Sequence, residues 1–207
     1  MAKTTRHRSF NYKGSKFNWQ SVFFIALISS VVLISAKDFF YFDNGQGGNG
    51  WSIGSSKISV LYAHQPRSLV ENRKLALRLV NRDRQLNGLT PLVEDTLLSQ
   101  TAQLHAQDML VRNYYAHVTP EGKTPTDRFV KLGGRSGVGE NIMQLTGAHG
   151  MSLSYRLIEQ FQKSWMYSQG HRKNLLKPEY THFGYGIVAD TITERVYAVQ
   201  NFSTPEL

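Results

Sequence analysis

The sequence predicts an α+β domain of ordinary size, preceded by an apolar segment and a glycine-rich linker. Amphipathic helical patterns occupy residues 68–168, two strand-like runs close the chain, and the 207 residues include no cysteine. Helices that come first and an antiparallel pair that comes last favour a layered α+β domain over a doubly wound parallel sheet. The lack of cysteine excludes disulfides, thiolate metal sites and a cysteine nucleophile.

The positive charge of the chain is concentrated at its N-terminus. The formal net charge is +9, and residues 1–36 carry five cations and no acid, which leaves +4 for the remainder. The rest of the chain has no dense basic run and no nucleic-acid motif. We therefore exclude nucleic acid as a partner.

Residues 21–42 are predicted to be a membrane anchor or a signal segment, and residues 1–20 a basic cytoplasmic tail. Phe17 to Ala36 holds no charged residue, and a helix of that length spans roughly 30 Å, about one hydrocarbon core. A cleaved signal peptide ending near Ala36 is the alternative. The uncharged run is longer than a usual signal core, which favours the anchor. Either way the folded domain is expected to be extracytoplasmic, membrane-anchored or secreted.

Residues 43–66 are rich in glycine and predict a linker, and the folded domain is assigned to residues 67–207. Three helix starts are visible in the sequence. Ser68 with Glu71 forms a capping box, Asp95 caps the second helix, and Thr124 caps the third ahead of Pro125. The first helix is expected to end at Asn87 and Gly88.

The second half of the domain is predicted to hold a glycine-rich stretch, one more helix and the strand pair. The glycines between residues 133 and 150 surround Glu140, and a helix capped by Ser152 is expected to run to Ser168. Residues 183–189 and 195–202 alternate as strands do, and a hairpin connection lies between them.

Three polar residues are expected to converge on one cleft: His117, Glu140 and His171. His171 follows Gly170 at the predicted end of a helix, so rigid structure would hold it beside an open cleft. His105 differs, because it lies on the apolar stripe of the second helix and is interpreted as a core histidine.

Residues 72–203 resemble the CAP superfamily of cysteine-rich secretory, antigen 5 and pathogenesis-related proteins, and especially its bacterial SCP-domain branch. Six pieces match in order. They are Val80-Asn81 with Gly88 to Leu92, Ala102 to Met109, Tyr114 to His117 with Pro120 and Gly122, Gly139 to Ile142, Trp165 to Leu176, and Gly184 to Gly186 with Asn201-Phe202.

The resemblance implies an α-β-α sandwich with a small antiparallel sheet and a large central cavity. In many members two histidines and two glutamates line the cavity, and in some the histidines bind zinc or another divalent metal. Here the matching positions are His117, Glu140 and His171, with Asn141 beside them. Ser168 occupies the position of the second glutamate, so the set of acids is incomplete.

The chemistry of this cleft leaves several functions open. His117 and His171 suit a divalent metal such as zinc, with Glu140 as a catalytic base or as the group that orients a histidine. A buried polar network without metal is the structural alternative. We expect a binding module for a lipid, a small apolar ligand or a cell-envelope component. The alternative is a metal-dependent hydrolase, a peptidase or cell-wall-modifying enzyme, that uses a histidine-bound water and Glu140.

Overall fold

The structure is a computed structural model that describes residues 46–47, 50–56, 60–147 and 152–204. The predicted basic tail and the predicted membrane or signal segment lie outside the described residues. None of the described helices combines the length and the apolar character that a membrane-spanning helix needs.

Six helices and six strands make up the described part of the chain. The helices are α1 (Val60–Ala63), α2 (Leu69–Leu86), α3 (Thr96–Val111), α4 (Pro125–Lys131), α5 (Tyr155–Tyr167) and α6 (Gln169–Leu175). The strands are β1 (Gln46–Gly47), β2 (Trp51–Ser52), β3 (Val93–Glu94), β4 (Val138–Thr146), β5 (His182–Asp190) and β6 (Arg195–Ser203).

The main sheet has four strands in the order β3-β5-β6-β4. The C-terminal hairpin is present as predicted, with β5 and β6 antiparallel from His182 opposite Ser203 to Asp190 opposite Arg195. β4 is antiparallel to β6, whereas β3 runs parallel to β5. The expected small antiparallel sheet is therefore a mixed sheet, because the short β3 joins it from the far end of the α2–α3 connection.

Helices cover both faces of this sheet. One face packs on α2 and α5 through a large apolar core whose members include Leu75, Leu79, Ile158, Phe161, Trp165, Phe183, Tyr185 and Phe202. The other face packs on α3 through Ala102, Ala106, Met109, Tyr197 and Val199. A Cβ atom at Gly184 or Gly186 would lie 2.2–2.3 Å from backbone atoms of α3. These two glycines are therefore what lets the helix lie directly on β5.

The helix starts follow the sequence signals at three of four places. Capping boxes form at Ser68 with Glu71 and at Thr124 with Asp127, and the Asp95 carboxylate accepts from the amide of Leu98. The fourth prediction is wrong, because α5 begins after Ser154 rather than after Ser152.

Two further differences from the sequence prediction concern the site. The stretch around Glu140 is the nine-residue strand β4, not a glycine-rich loop. The chain also does not leave helical structure before His171. It breaks at Ser168 and starts the short helix α6, in which His171 is the third residue. Tertiary contacts stabilise both elements against weak local propensity.

Residues 51–56, which the sequence assigned to the linker, lie against the folded domain. Ile53 is buried, and the amide of Gly54 donates to Asp83 at 2.9 Å. The Trp51 ring packs edge-on against Tyr167, and the Arg172 guanidinium stacks over it at 4.3 Å from the ring centroid. This segment therefore contacts α6, the helix that carries His171.

Arg84 fixes the connection between α6 and β5. Its side chain is fully buried and donates hydrogen bonds to four main-chain carbonyls, at Thr90, Leu175, Lys177 and Tyr180. Buried carbonyl groups need partners, and here one side chain supplies all four.

Replacing Arg84 by methionine should destabilise the fold strongly. The substitution keeps an unbranched side chain but leaves the four carbonyls without their donor, so we expect a loss of about 3 kcal/mol or more in the free energy of unfolding. Urea denaturation followed by circular dichroism measures it. Arg78→Met, on the exposed side of the same helix, is the control and should change stability by less than about 0.5 kcal/mol. Equal losses in both variants would contradict the role of Arg84.

Candidate functional site

The three residues predicted to form the cleft come from three separate elements, and Glu140 is the central one. Glu140 lies near the start of β4, His117 in the α3–α4 loop, and His171 in α6. The Glu140 side chain is only 1% exposed, whereas that of His117 is 49% exposed. Nδ1 of His117 lies 2.9 Å from Oε1 of Glu140. Because a carboxylate only accepts, Nδ1 donates, and the lone pair of neutral His117 is on Nε2.

Arg128 on α4 binds the other side of Glu140. Its guanidinium lies 2.5 Å from Oε2 of Glu140, and a second nitrogen donates to the carbonyls of His117 at 2.7 Å and Lys123 at 3.1 Å. One arginine therefore fixes both the buried acid and the loop that carries His117. Both oxygens of Glu140 already accept a hydrogen bond from the protein.

His105 is a core histidine, as expected, and it also borders this acid. Its Nε2 donates to the carbonyl of Ala116 at 3.0 Å and lies 3.8 Å from Oε1 of Glu140. Burial lowers the pKa of His105, and the nearby Arg128 charge acts in the same direction, although the charge of Glu140 opposes both. His105 is therefore neutral near pH 7.

His171 is partly buried and lies close enough to His117 for the charge of one imidazole to act on the other. Burial lowers the pKa of His171, and the positive charge that His117 can carry lowers it further. Its Nδ1 is buried and has no hydrogen-bond partner among the described residues. A neutral imidazole with an unpaired buried nitrogen is suited to a ligand or to a metal ion.

Two asparagines attach α6 to β4. Asn141 donates to the carbonyl of His171 at 3.2 Å and to Oε1 of Gln200 at 3.1 Å. Asn174 donates to the carbonyl of Glu140 at 3.0 Å and to Oδ1 of Asn141 at 2.9 Å. Asn141 is therefore the residue that positions the histidine-bearing helix.

Ser168 lies at the junction of α5 and α6 and is partly exposed. It ends one helix and begins the next, and its side chain forms no capping hydrogen bond. The sequence placed it among the cleft-lining residues in the position of a second acid. A hydroxyl there cannot replace a carboxylate as a base at neutral pH.

The residue types of His117 and His171, two imidazoles, are ones that a divalent ion such as zinc takes as ligands. Among the described residues, no three histidine, cysteine, aspartate or glutamate side chains lie close enough together to hold a metal. His117 and His171 would be the ligands, and Glu140 would orient His117 through Nδ1, as outer-shell carboxylates do at zinc sites.

The sequence predicts a cleft at His117, Glu140 and His171, and the structure shows the contact between His117 and Glu140. The sequence gives no sign of Arg128. Arg128 lies in the last turn of α4, where a cation resembles an ordinary solvated residue that complements the helix dipole. The capping box of Thr124 located the helix, but nothing local reveals that the arginine contacts a strand 12 residues further along the chain.

A four-stranded sheet between helical layers, with a histidine–glutamate contact at the edge strand β4, defines the class of this protein. The chain belongs to the cysteine-rich secretory protein (CAP) family, whose sequence profile matches residues 77–202. The Bacillus subtilis protein YkwD is 36% identical over 123 residues, which cover 59% of this chain and 45% of YkwD. The Bacillus subtilis membrane protein YlbC is 31% identical over 133 residues, which cover 63% of this chain and 34% of YlbC. The chain therefore spans less than half the length of either.

Solved structures agree on the fold. An extracellular SCP-domain protein from Bacillus anthracis is similar with a TM-score of 0.56 and 28% identity, over 73% of this chain and 45% of that one. An outer surface protein from Borrelia burgdorferi gives a TM-score of 0.55 at 16% identity, over 69% of this chain and 99% of that one, and it supports the fold alone.

Arg128 and Glu140 should be strongly coupled in a double-mutant cycle. Arg128→Gln leaves a buried carboxylate without its cation, so we expect a loss of about 3–5 kcal/mol in unfolding free energy. Adding Glu140→Gln should restore part of it, with a coupling energy of about 1–3 kcal/mol. Urea denaturation of the four proteins measures this. The exposed Arg112–Glu121 pair is the matched control and should couple far more weakly. Additive effects at Arg128 and Glu140 would contradict the assignment.

Stability should fall in mild acid partly because of His105. Its pKa is lowered in the folded state, so the unfolded state takes up a proton first as the pH falls through about 6.5. The free energy of unfolding stops decreasing once the pH has fallen below the pKa of His105 in the folded state. His105→Gln, which retains a donor for Ala116, should therefore lose less stability than wild type between about pH 8 and pH 5. Gln100→Ala, at an exposed and non-titrating position of the same helix, is the control and should keep the wild-type slope. Identical slopes for wild type and His105→Gln would contradict this prediction.

Proposed function

We propose that this chain is an extracytoplasmic CAP-domain protein that binds a ligand in the His117–Glu140–His171 cleft and that it is a binding module rather than a hydrolase. The ligand class is a lipid, a small apolar molecule or a cell-envelope component, and the membrane or secretory segment at residues 21–42 would place the domain near it. One relative is named a membrane protein and a structural relative an extracellular protein, which supports this location.

The observation that carries the proposal is that both carboxylate oxygens of Glu140 are already engaged. A general base must be free to reach the proton that it abstracts. Here Arg128 binds one oxygen at 2.5 Å and His117 the other at 2.9 Å. With Ser168 in the second acid position, the cleft offers imidazole nitrogens for binding but no uncommitted carboxylate for catalysis.

The imidazoles of His117 and His171 are the binding groups of this cleft. His171 is held neutral by burial and by the neighbouring His117, and its helix is fixed through Asn141. A divalent ion bound by the two histidines would supply Lewis-acid attraction for a ligand oxygen. In that arrangement Glu140 keeps His117 in the tautomer that presents Nε2.

Zinc binding by the full-length chain should depend on both histidines. His117→Ala and His171→Ala should each abolish stoichiometric zinc, because two ligands cannot be reduced to one without loss of the site. Glu140→Gln should weaken binding by about tenfold or more through the loss of ligand orientation. Mass spectrometry of the purified protein and calorimetric titration measure content and affinity. His182→Ala is the control, and zinc binding that survives both cleft substitutions would contradict the assignment.

Enzymatic assays separate the binding module from the hydrolase. A panel of peptide and peptidoglycan substrates, with zinc and with chelator, should give no turnover above background. Chelator-sensitive turnover that Glu140→Gln abolishes would reject the binding module and favour the metal-dependent hydrolase.

A further inference from the structure

A second cavity lies between α3 and α4, beside the cleft but lined by other residues. Its volume is about 580 Å³, within the range of roughly 300–1,000 Å³ that is typical of small-molecule sites. The described residues that line it include His105 and Arg128 but not His117, Glu140 or His171. Arg128 therefore borders this cavity while its guanidinium holds Glu140 on the other side.

The wall of this cavity is apolar and exposed. Leu104 on α3 and Val130 on α4 line it with exposed fractions of 47% and 53%, and Leu132 lies beside them. Large apolar side chains that face one cavity from two helices provide a surface that an apolar ligand body would cover.

The polar groups of the cavity favour an anion over a cation. Its three acids already accept from protein donors: Asp108 from the Tyr114 hydroxyl, Glu121 from Arg112, and Asp127 from the amide and hydroxyl of Thr124. Asp108 and Glu121 are also ion-paired with Arg112, so part of their negative charge is already balanced.

The cations of the cavity are less committed than its acids. Lys123 and Lys131 form no ion pair with any carboxylate in the described part of the chain. Nε of Arg128 is buried without a hydrogen-bond partner there, although the other two guanidinium nitrogens are occupied. A carboxylate could accept from Nε without displacing Glu140, which is bound by a different nitrogen of the same guanidinium.

We propose that the α3–α4 cavity is a second ligand site, selective for a small organic carboxylate with an apolar body. The carboxylate binds Arg128 with Lys123 and Lys131 near the rim, and the apolar body lies against Leu104, Val130 and Leu132. This site is separate from the histidine cleft, and the shared Arg128 links the two.

Hexanoate is the probe, and hexanamide and hexylammonium are its neutral and cationic counterparts. We expect the full-length chain to bind hexanoate at least about tenfold more tightly than either counterpart in calorimetric titration. Tighter binding of hexylammonium, equal binding of hexanamide, or no measurable binding of hexanoate would each overturn the proposal.

Matched variants locate the binding. Leu104→Glu places a carboxylate in the cavity wall and should weaken hexanoate binding at least about tenfold. Val111→Glu, at a more exposed position of the same helix outside the cavity, should leave it unchanged. The double variant Lys123→Gln, Lys131→Gln should weaken hexanoate binding and leave hexanamide binding unchanged. Equal effects of Leu104→Glu and Val111→Glu would overturn the assignment.

The histidine cleft is tested separately on the same samples. The double variant His117→Ala, His171→Ala should lose zinc but retain hexanoate binding. Loss of hexanoate binding in that variant would place the probe in the cleft and overturn the second site, whatever the result for zinc.

Discussion

A buried chain of side-chain amides connects the core of the domain to the helix that carries His171. Asn174 donates to Asn141, Asn141 to Gln200, Gln200 to Gln162, and Gln162 to Asp83, with distances of 2.8–3.1 Å. Each amide both donates and accepts, so the chain has one direction and must end at a group that only accepts. Asp83 is that group, and it also accepts from the amide of Gly54. The orientation of α6 therefore depends on a carboxylate on α2, because reversing any one amide would leave donors facing donors.

The sequence predicts those elements whose signals are local. The caps at Ser68, Asp95 and Thr124 are correct because a cap is decided by residues within one turn of each other. β4 is missed because glycine, glutamate and asparagine are unfavourable in strands, and only pairing with β6 outweighs this. β3 is missed for a related reason, since its two residues pair with β5 about 90 positions later. α6 is likewise held by Arg84 and Asn141 rather than by its own propensity.

The difference between local sequence signals and long-range contacts applies to the site as well. The residue types of His117, Glu140 and His171 and their order along the chain predict a shared cleft. The structure joins His117 to Glu140 on the edge strand β4, and Asn141 attaches the helix of His171 to the same strand. No local sequence pattern predicts which charged groups surround Glu140. Arg128 comes from a helix on the other side of the loop, and His105 comes from the core of α3. Whether an acid can act as a base depends on those partners, so the distinction between a hydrolase and a binding module needs the fold.

Arg128 connects the charge balance at Glu140 with the α3–α4 cavity. Its guanidinium has five N–H groups in a fixed plane, and they serve the acid of the cleft, the carbonyl of His117 and the edge of the α3–α4 cavity. A planar, rigid group cannot move toward a new partner on one side without changing its geometry on the other. An anion that accepts from Nε would pull on the same group that fixes Glu140 and the His117 loop. If both proposed sites bind ligands, the Arg128–Glu140 contact is the shared group through which occupation of one site would change the affinity of the other.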